Sequence, residues 1–188
     1  MQSIIRHEFN EHIDTSLNTL NSITNEIEIA AKICIKALNN NGKILIMGNG
    51  GSAADAQHIA AELVGRYKTE RAGLPAISLT TDSSVITSIA NDYGFLHVFD
   101  RQINALAKKG DVVIAISTGG TSLNVIKALV AANKLGCKTI GLSGKGGGEF
   151  NDLCDVNLIV KSNDTPRIQE MHILIGHTIC HLIEQEFS

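Results

Sequence analysis

His58 and Glu62 stand four residues apart in an alanine-rich stretch, Ala53-Ala54-Asp55-Ala56-Gln57-His58-Ile59-Ala60-Ala61-Glu62. On a helix that spacing puts an imidazole and a carboxylate on neighbouring turns of one face. Immediately upstream, the apolar run 44–47 is the length of one buried strand, and Gly48-Asn49-Gly50-Gly51-Ser52 is a glycine-rich turn. A strand, a loop of exposed backbone N–H groups and a helix N-terminus make an anion site. The stretch 44–62 thus suits a small phosphorylated ligand, held at one end and worked on at the other.

A second loop of similar character, Ser117-Thr118-Gly119-Gly120-Thr121-Ser122, follows the apolar run 112–116. Hydroxyls and backbone donors at the start of a helix have the composition of a phosphate cradle, although a Ser/Thr-rich turn also serves simply to cap a helix. Neither loop carries the GxxxxGK[ST] pattern of a nucleoside triphosphate site. The first matches only the opening of GxGxxG, with Ala53 where the last glycine would stand. A sugar phosphate fits better than a nucleotide.

The elements that must hold these loops follow from hydrophobic periodicity. Ile4, Ile5, Phe9, Ile13, Leu17 and Leu20, then Ile23, Ile27, Ala30, Ile33 and Ala37, recur at helical spacing. They predict helices over 3–20 and 23–40, read as a hairpin whose narrow apolar stripe serves a bundle between subunits. Beyond residue 42, strands at 43–47, 75–79, 112–116, 137–142 and 156–160 alternate with helices at 53–68, 83–90, 95–107, 123–135 and 165–186. The expectation is a single α/β domain over 1–188, with a helical hairpin (1–41) used in oligomerisation and an α/β core (42–188). Its sheet is a five-stranded parallel one flanked by helices, flavodoxin-like. Ligands bind beyond the carboxyl ends of such strands, where both polar loops fall.

A chain of 188 residues, 44% hydrophobic and 19% charged, is a soluble globular protein, and its net charge of −3 gives no reason to expect nucleic acid as a partner. No apolar run approaches the ~20 residues of a membrane span. Cys34, Cys137, Cys154 and Cys180 are scattered without a CxxC pair, which reads as reduced, mostly buried thiols in a cytoplasmic protein.

The segments 48–58, Asn91-Asp92-Tyr93-Gly94, Ile116-Ser117-Thr118 and Arg167-Ile168-Gln169-Glu170-Met171-His172 together resemble the phosphoheptose isomerases, which are sugar-isomerase (SIS) domain proteins. The resemblance covers essentially the whole chain. It implies a homotetramer, one divalent metal ion per subunit, commonly zinc, and interconversion of sedoheptulose 7-phosphate and D-glycero-D-manno-heptose 7-phosphate for bacterial surface polysaccharide. It assigns Glu62 as catalytic base and His177 as partner acid or base. His58, Glu62, Gln169 and His177 match the metal ligands. Asn49, Gly50, Gly51 and Ser52 match the first substrate loop, and Asn91 with Asp92 the second. Ser117, Thr118, Gly119 and Ser122 match the phosphate loop, while Glu62 and Gln169 also face the substrate.

Elementary chemistry agrees with those roles. Ketose–aldose isomerisation moves a proton between adjacent carbons through an enediol, and needs a base and a means of stabilising charge on the neighbouring oxygens. Zinc accepts nitrogen and oxygen ligands and polarises carbonyls. Gln169 and His177 lie eight residues apart on one helix, ~12 Å along its axis. Sharing one ion would be easier if different subunits supplied them, which predicts active sites at subunit interfaces.

His7, His12 and His97 read as surface or packing residues, and His172 and His181 as structural. The run 145–148 reads as an exposed turn and Arg66 as a surface ion pair, with anion binding the alternative for both. Gly119 stands where the family usually has serine, and Thr121 where it has asparagine, so one hydroxyl is missing from the phosphate loop. Two other readings compete: a non-catalytic SIS-domain regulator of replication initiation, and an isomerase for another sugar phosphate.

Overall fold

A computed structural model describes residues 1–188. The helices are α1 (Gln2–Asn39), α2 (Gly51–Val64), α3 (Ser83–Tyr93), α4 (Asp100–Leu106), α5 (Leu123–Leu135), α6 (Phe150–Leu153) and α7 (Thr165–Phe187). The strands are β1 (Ile44–Gly48), β2 (Ala76–Ser78), β3 (Val112–Ile116), β4 (Lys138–Ser143) and β5 (Val156–Ile159). All strand pairs are parallel, in the order β2-β1-β3-β4-β5. The expected five-stranded α/β fold is therefore the observed one.

Side chains alternate across the sheet. Ile44, Ile46, Val112, Ile114 and Ile116 face a core made with α1, α2 and α7, while Leu45, Met47, Val113 and Ala115 face one made with α4 and α5. Because β1 has β2 on one side and β3 on the other, the chain changes winding direction between β1 and β3. Loops leaving those two strands diverge, which opens a crevice at their carboxyl ends.

The N-terminal hairpin is not formed. Residues 2–39 make one helix, bent at Ile23, whose φ of −133° and ψ of 16° are not helical. The Thr19 hydroxyl donates to the Thr15 carbonyl at 2.7 Å, and Thr24 donates likewise to Leu20. Such bonds compete with the helix ladder and bend it. No glycine or proline lies between Leu20 and Thr24 to reverse the chain. The helix instead runs alongside α7: Arg167 donates to the Glu8 carbonyl at 2.6 Å, His12 pairs with Glu170 at 2.8 Å, and Leu20 and Ile27 share a groove with Leu174 and Leu182. The second half of the apolar stripe is covered by the sheet. The first half is not: Ile4, Phe9, Ile13, Leu17 and Leu20 are each more than half exposed.

All four cysteines are free, and three of them are buried. Burial pushes the thiols of Cys154 and Cys180 up to about 12, which leaves them unreactive at neutral pH. No helix is long and apolar enough to cross a membrane.

One buried ion pair fixes the far ends of α2 and α7. Glu184, fully buried, accepts the backbone N–H groups of Tyr67, Lys68 and Thr69 at 2.8, 2.8 and 3.0 Å. Arg71, 3.5 Å from Glu184, donates to the carbonyls of Glu62 and Leu63 at 2.8 and 2.9 Å and so caps the last turn of α2. Burial alone would raise the Glu184 carboxyl, but its backbone donors outweigh burial and hold it down to about 2. A depressed carboxyl stabilises the fold fully above its ordinary 4.5 and loses that contribution as pH falls toward about 2. Glu184→Gln should therefore lower the melting temperature at neutral pH, since breaking a buried pair costs about 3–5 kcal/mol. The gap between variant and wild type should close as the pH approaches 2 in melts followed by circular dichroism.

Candidate active site

Glycine lets α7 lie directly on α2. A Cβ at Gly176 would sit 2.5 Å from Cδ1 of Ile59, so any larger residue forces the helices apart. The next residue on α7 is His177, and the residue before Ile59 on α2 is His58. Their Nε2 atoms are 3.1 Å apart, and His58 Nε2 is also 3.1 Å from Oε1 of Glu62. His58, Glu62 and His177 thus bring one ligand atom each within 4.8 Å of one another. The cluster is accessible: the side chain of His58 is 49% exposed and that of Glu62 22%.

These residues could hold a divalent metal. Two ligand atoms bound tetrahedrally at about 2.0–2.1 Å stand about 3.3 Å apart. Both 3.1 Å separations at His58 are close to that edge, and two imidazoles with a carboxylate are the donor types zinc takes. His177 needs no neighbouring subunit to meet the other two. Gln169 is placed differently: its amide lies against Gly51, where an added Cβ would stand 2.9 Å from Nε2, at the opposite end of α2.

The two polar loops meet at the crevice. Asn49 and Asn124 exchange reciprocal side-chain hydrogen bonds of 2.9 and 3.0 Å, tying the loop after β1 to the first turn of α5. Gly50 has φ 59° and ψ −123°, a conformation open to glycine, at the point where the chain enters α2. Ser52 is buried beneath this loop. In the second loop the hydroxyls of Ser117 and Ser122 are 3.0 Å apart. Thr118, Gly119, Thr121 and Ser122 have backbone N–H groups with no acceptor within the chain. With the N-terminus of α5 behind them, these donors suit a dianionic phosphate.

Asn91 and Asp92 lie exposed on the last turn of α3, and their side chains bond to each other at 2.8 Å. Arg66 pairs loosely with Glu70, 3.6 Å away, as an exposed ion pair. His172 is fully buried and donates from Nε2 to the Ser143 carbonyl at 3.1 Å; burial holds its pKa down to about 4, so it is a neutral packing residue. His97 pairs with Asp100 at 3.1 Å on the surface.

Sequence reasoning missed three contributors. Asn124 bridges the loops, and its sign was an amide placed just inside a helix that follows a phosphate-type loop. The run 145–148 is not merely an exposed turn: a Cβ at Gly120 would meet the Gly147 carbonyl at 2.0 Å, and one at Gly148 the Gly119 carbonyl at 2.5 Å. Consecutive glycines let this segment buttress the loop 117–122 from behind. Asp55, one turn before His58, has a buried Oδ2 without a partner, and burial raises its carboxyl to about 6 against the opposing pull of His58.

Residues 8–144 match the family model described as the SIS domain. A phosphoheptose isomerase of Aliarcobacter butzleri (strain RM4018) is 61% identical over 188 residues, the full length of both chains. Among solved structures, the phosphoheptose isomerase of Neisseria gonorrhoeae aligns with TM-score 0.93 at 43% identity, and that of Francisella tularensis with TM-score 0.95 at 37% identity. Each alignment covers 98% of both chains.

The two adjoining glycines of the loop 117–122 should respond unequally to substitution. Gly120 has φ +64° and no room for a Cβ, so Gly120→Ala should lower stability by more than about 2 kcal/mol. A Cβ at Gly119 would meet only the Thr121 hydroxyl, at 3.3 Å, so Gly119→Ser should stay within about 0.5 kcal/mol of wild type. Denaturant unfolding of both variants measures the contrast.

Proposed function

The chain belongs to the phosphoheptose isomerases of the SIS-domain family, and we propose that it interconverts sedoheptulose 7-phosphate and D-glycero-D-manno-heptose 7-phosphate. The observation that carries the mechanism is the meeting of His58, Glu62 and His177 on the facing helices α2 and α7. The phosphate sits on the loop 117–122, held by Ser117, Thr118, Ser122 and backbone N–H groups that include Gly119. The sugar lies along Asn49, Gly50, Gly51 and Ser52 toward Glu62, with Gln169 against that loop and Asn91 and Asp92 closing it from α3.

Glu62 takes a proton from C1 of the ketose, and the electrons of that C–H bond form the C1=C2 double bond of an enediol. The same carboxyl returns the proton at C2. His177 moves a proton from the oxygen on C1 to the oxygen on C2, which completes the exchange of carbonyl and hydroxyl. His58, Glu62 and His177, with Gln169 as a fourth ligand, would hold zinc, which would polarise the carbonyl when bound. Reach favours a subunit interface for that fourth ligand, since Gln169 of one chain lies ~12 Å of helix away from its own His177.

The first half of α1 supports assembly as a homotetramer. Ile4, Ile5, Phe9, Ile13, Leu17 and Leu20 present an apolar stripe on one helix, the kind of surface a monomer rarely leaves uncovered. Residues 1–41 are on this reading the oligomerisation element. The enzyme works in the cytoplasm, at the first step of heptose supply for bacterial surface polysaccharide. A regulatory SIS domain would have no use for the acid–base set at His58, Glu62 and His177.

Glu62→Gln should lower kcat by about 10³-fold while leaving the melting curve in place, as loss of a general base does. Chelation should abolish turnover of sedoheptulose 7-phosphate and added zinc should restore it. No turnover by zinc-supplied wild type would defeat the assignment. Phe9→Glu combined with Ile13→Glu should reduce the mass seen by light scattering below that of a tetramer.

A further inference from the structure

His177 lacks the usual support of a metal-binding imidazole. Such a ring normally donates its second N–H to a carboxylate or carbonyl, which fixes its orientation. Here the only hydrogen bond of His177 is the one its Nε2 shares with Nε2 of His58, and Nδ1 has no partner. What holds the ring is a face: Tyr67 stacks on it with centroids 5.4 Å apart and planes 29° from parallel. That geometry is within the range of favourable aromatic pairs.

Tyr67 is itself held by its backbone rather than by its hydroxyl. Its N–H donates to Oε1 of Glu184 at 2.8 Å, the first of the bonds by which that carboxylate gathers 67–69. The phenol oxygen makes no hydrogen bond within the chain, so nothing but the ring face is engaged. Arg71, beside the same carboxylate, bonds the carbonyl of Glu62 at 2.8 Å. A single buried pair therefore seats both the backbone of Glu62 and the ring that steadies His177.

We propose that Tyr67 is a positioning residue, an aromatic wall that fixes the imidazole of His177 in its metal-binding and proton-transferring orientation. The inference rests on the isomerase reading for the role of His177, but its geometry does not depend on which sugar is turned over.

The test compares Tyr67→Leu, which keeps bulk and loses the aromatic face, with Tyr67→Phe, which keeps the face and loses the hydroxyl. Zinc affinity is measured by competition with a chromophoric chelator, with no substrate present. Tyr67→Leu should weaken zinc about 10-fold, the low end of what loss of an outer-shell partner costs, and Tyr67→Phe should rescue it. In turnover of sedoheptulose 7-phosphate, Tyr67→Leu should lower kcat with KM held. In zinc-free protein, NMR should show the ring protons of His177 shifted by the Tyr67 ring current in wild type and Tyr67→Phe, and not in Tyr67→Leu. Unchanged zinc affinity in folded Tyr67→Leu would overturn the proposal. So would equal losses in both variants, which would assign the role to the hydroxyl. Wild type that binds zinc without turning over the heptose phosphate would fail the isomerase reading alone and leave the affinity comparison intact.

Discussion

The chemistry of this chain depends on how closely α7 lies against α2. Only because Gly176 has no side chain can the two helices approach until Ile59 fills the gap, and only then do the Nε2 atoms of His58 and His177 come within 3.1 Å. The same contact is anchored beyond the cluster by Arg71 and Glu184, which bind the end of α2 and the segment after it to the last turns of α7. A residue in the first third of the sequence and one near its end thus become one reactive group through helix packing rather than through any loop.

The binding half of the site has a different basis. The crevice exists because the strand order turns between β1 and β3, and the loops leaving those strands are then joined by the Asn49–Asn124 pair. Each loop is a tight structure of backbone donors, and tightness is supplied by glycine where side chains would collide, at Gly50 by conformation and at Gly120 against Gly147 by contact. Donor groups held in this way need little rearrangement to receive a phosphate. Gly119 adds no hydroxyl to this set but contributes its backbone N–H.

Much of the fold was legible in the sequence because buried parallel strands write themselves as short apolar runs; β3 falls on the run 112–116 residue for residue. The edge strand β2 is shorter than its apolar run: only Ala76–Ser78 pair in register with β1, while the Pro75 carbonyl and the Leu79 N–H bond its backbone from just outside the strand. The N-terminal stripe gave the helices but not their arrangement. Periodicity reports which face is apolar, and a one-residue bend at Ile23 looks in a sequence much like the turn of a hairpin. His58 and Glu62 declared themselves by spacing on one helix. His177 did not, because His172 and His181 share its helix, and their facing is decided by tertiary packing: His172 lies about 140° round the helix from His177 and points at Ser143. The resemblance to a family singled out His177. Tyr67 and Glu184 had no sequence signature at all, because a stacked ring and a carboxylate bound to backbone N–H groups are contacts across the fold.

On the proposed mechanism this chain moves a proton between C1 and C2 of a ketose phosphate, with Glu62 as the base. Turnover of sedoheptulose 7-phosphate by the zinc-supplied protein in deuterium oxide, followed by NMR, tests it most directly. The aldose product should carry deuterium at C2, because the proton held on the partly exposed Glu62 exchanges with solvent before it is delivered. Failure to form any aldose product would contradict that mechanism.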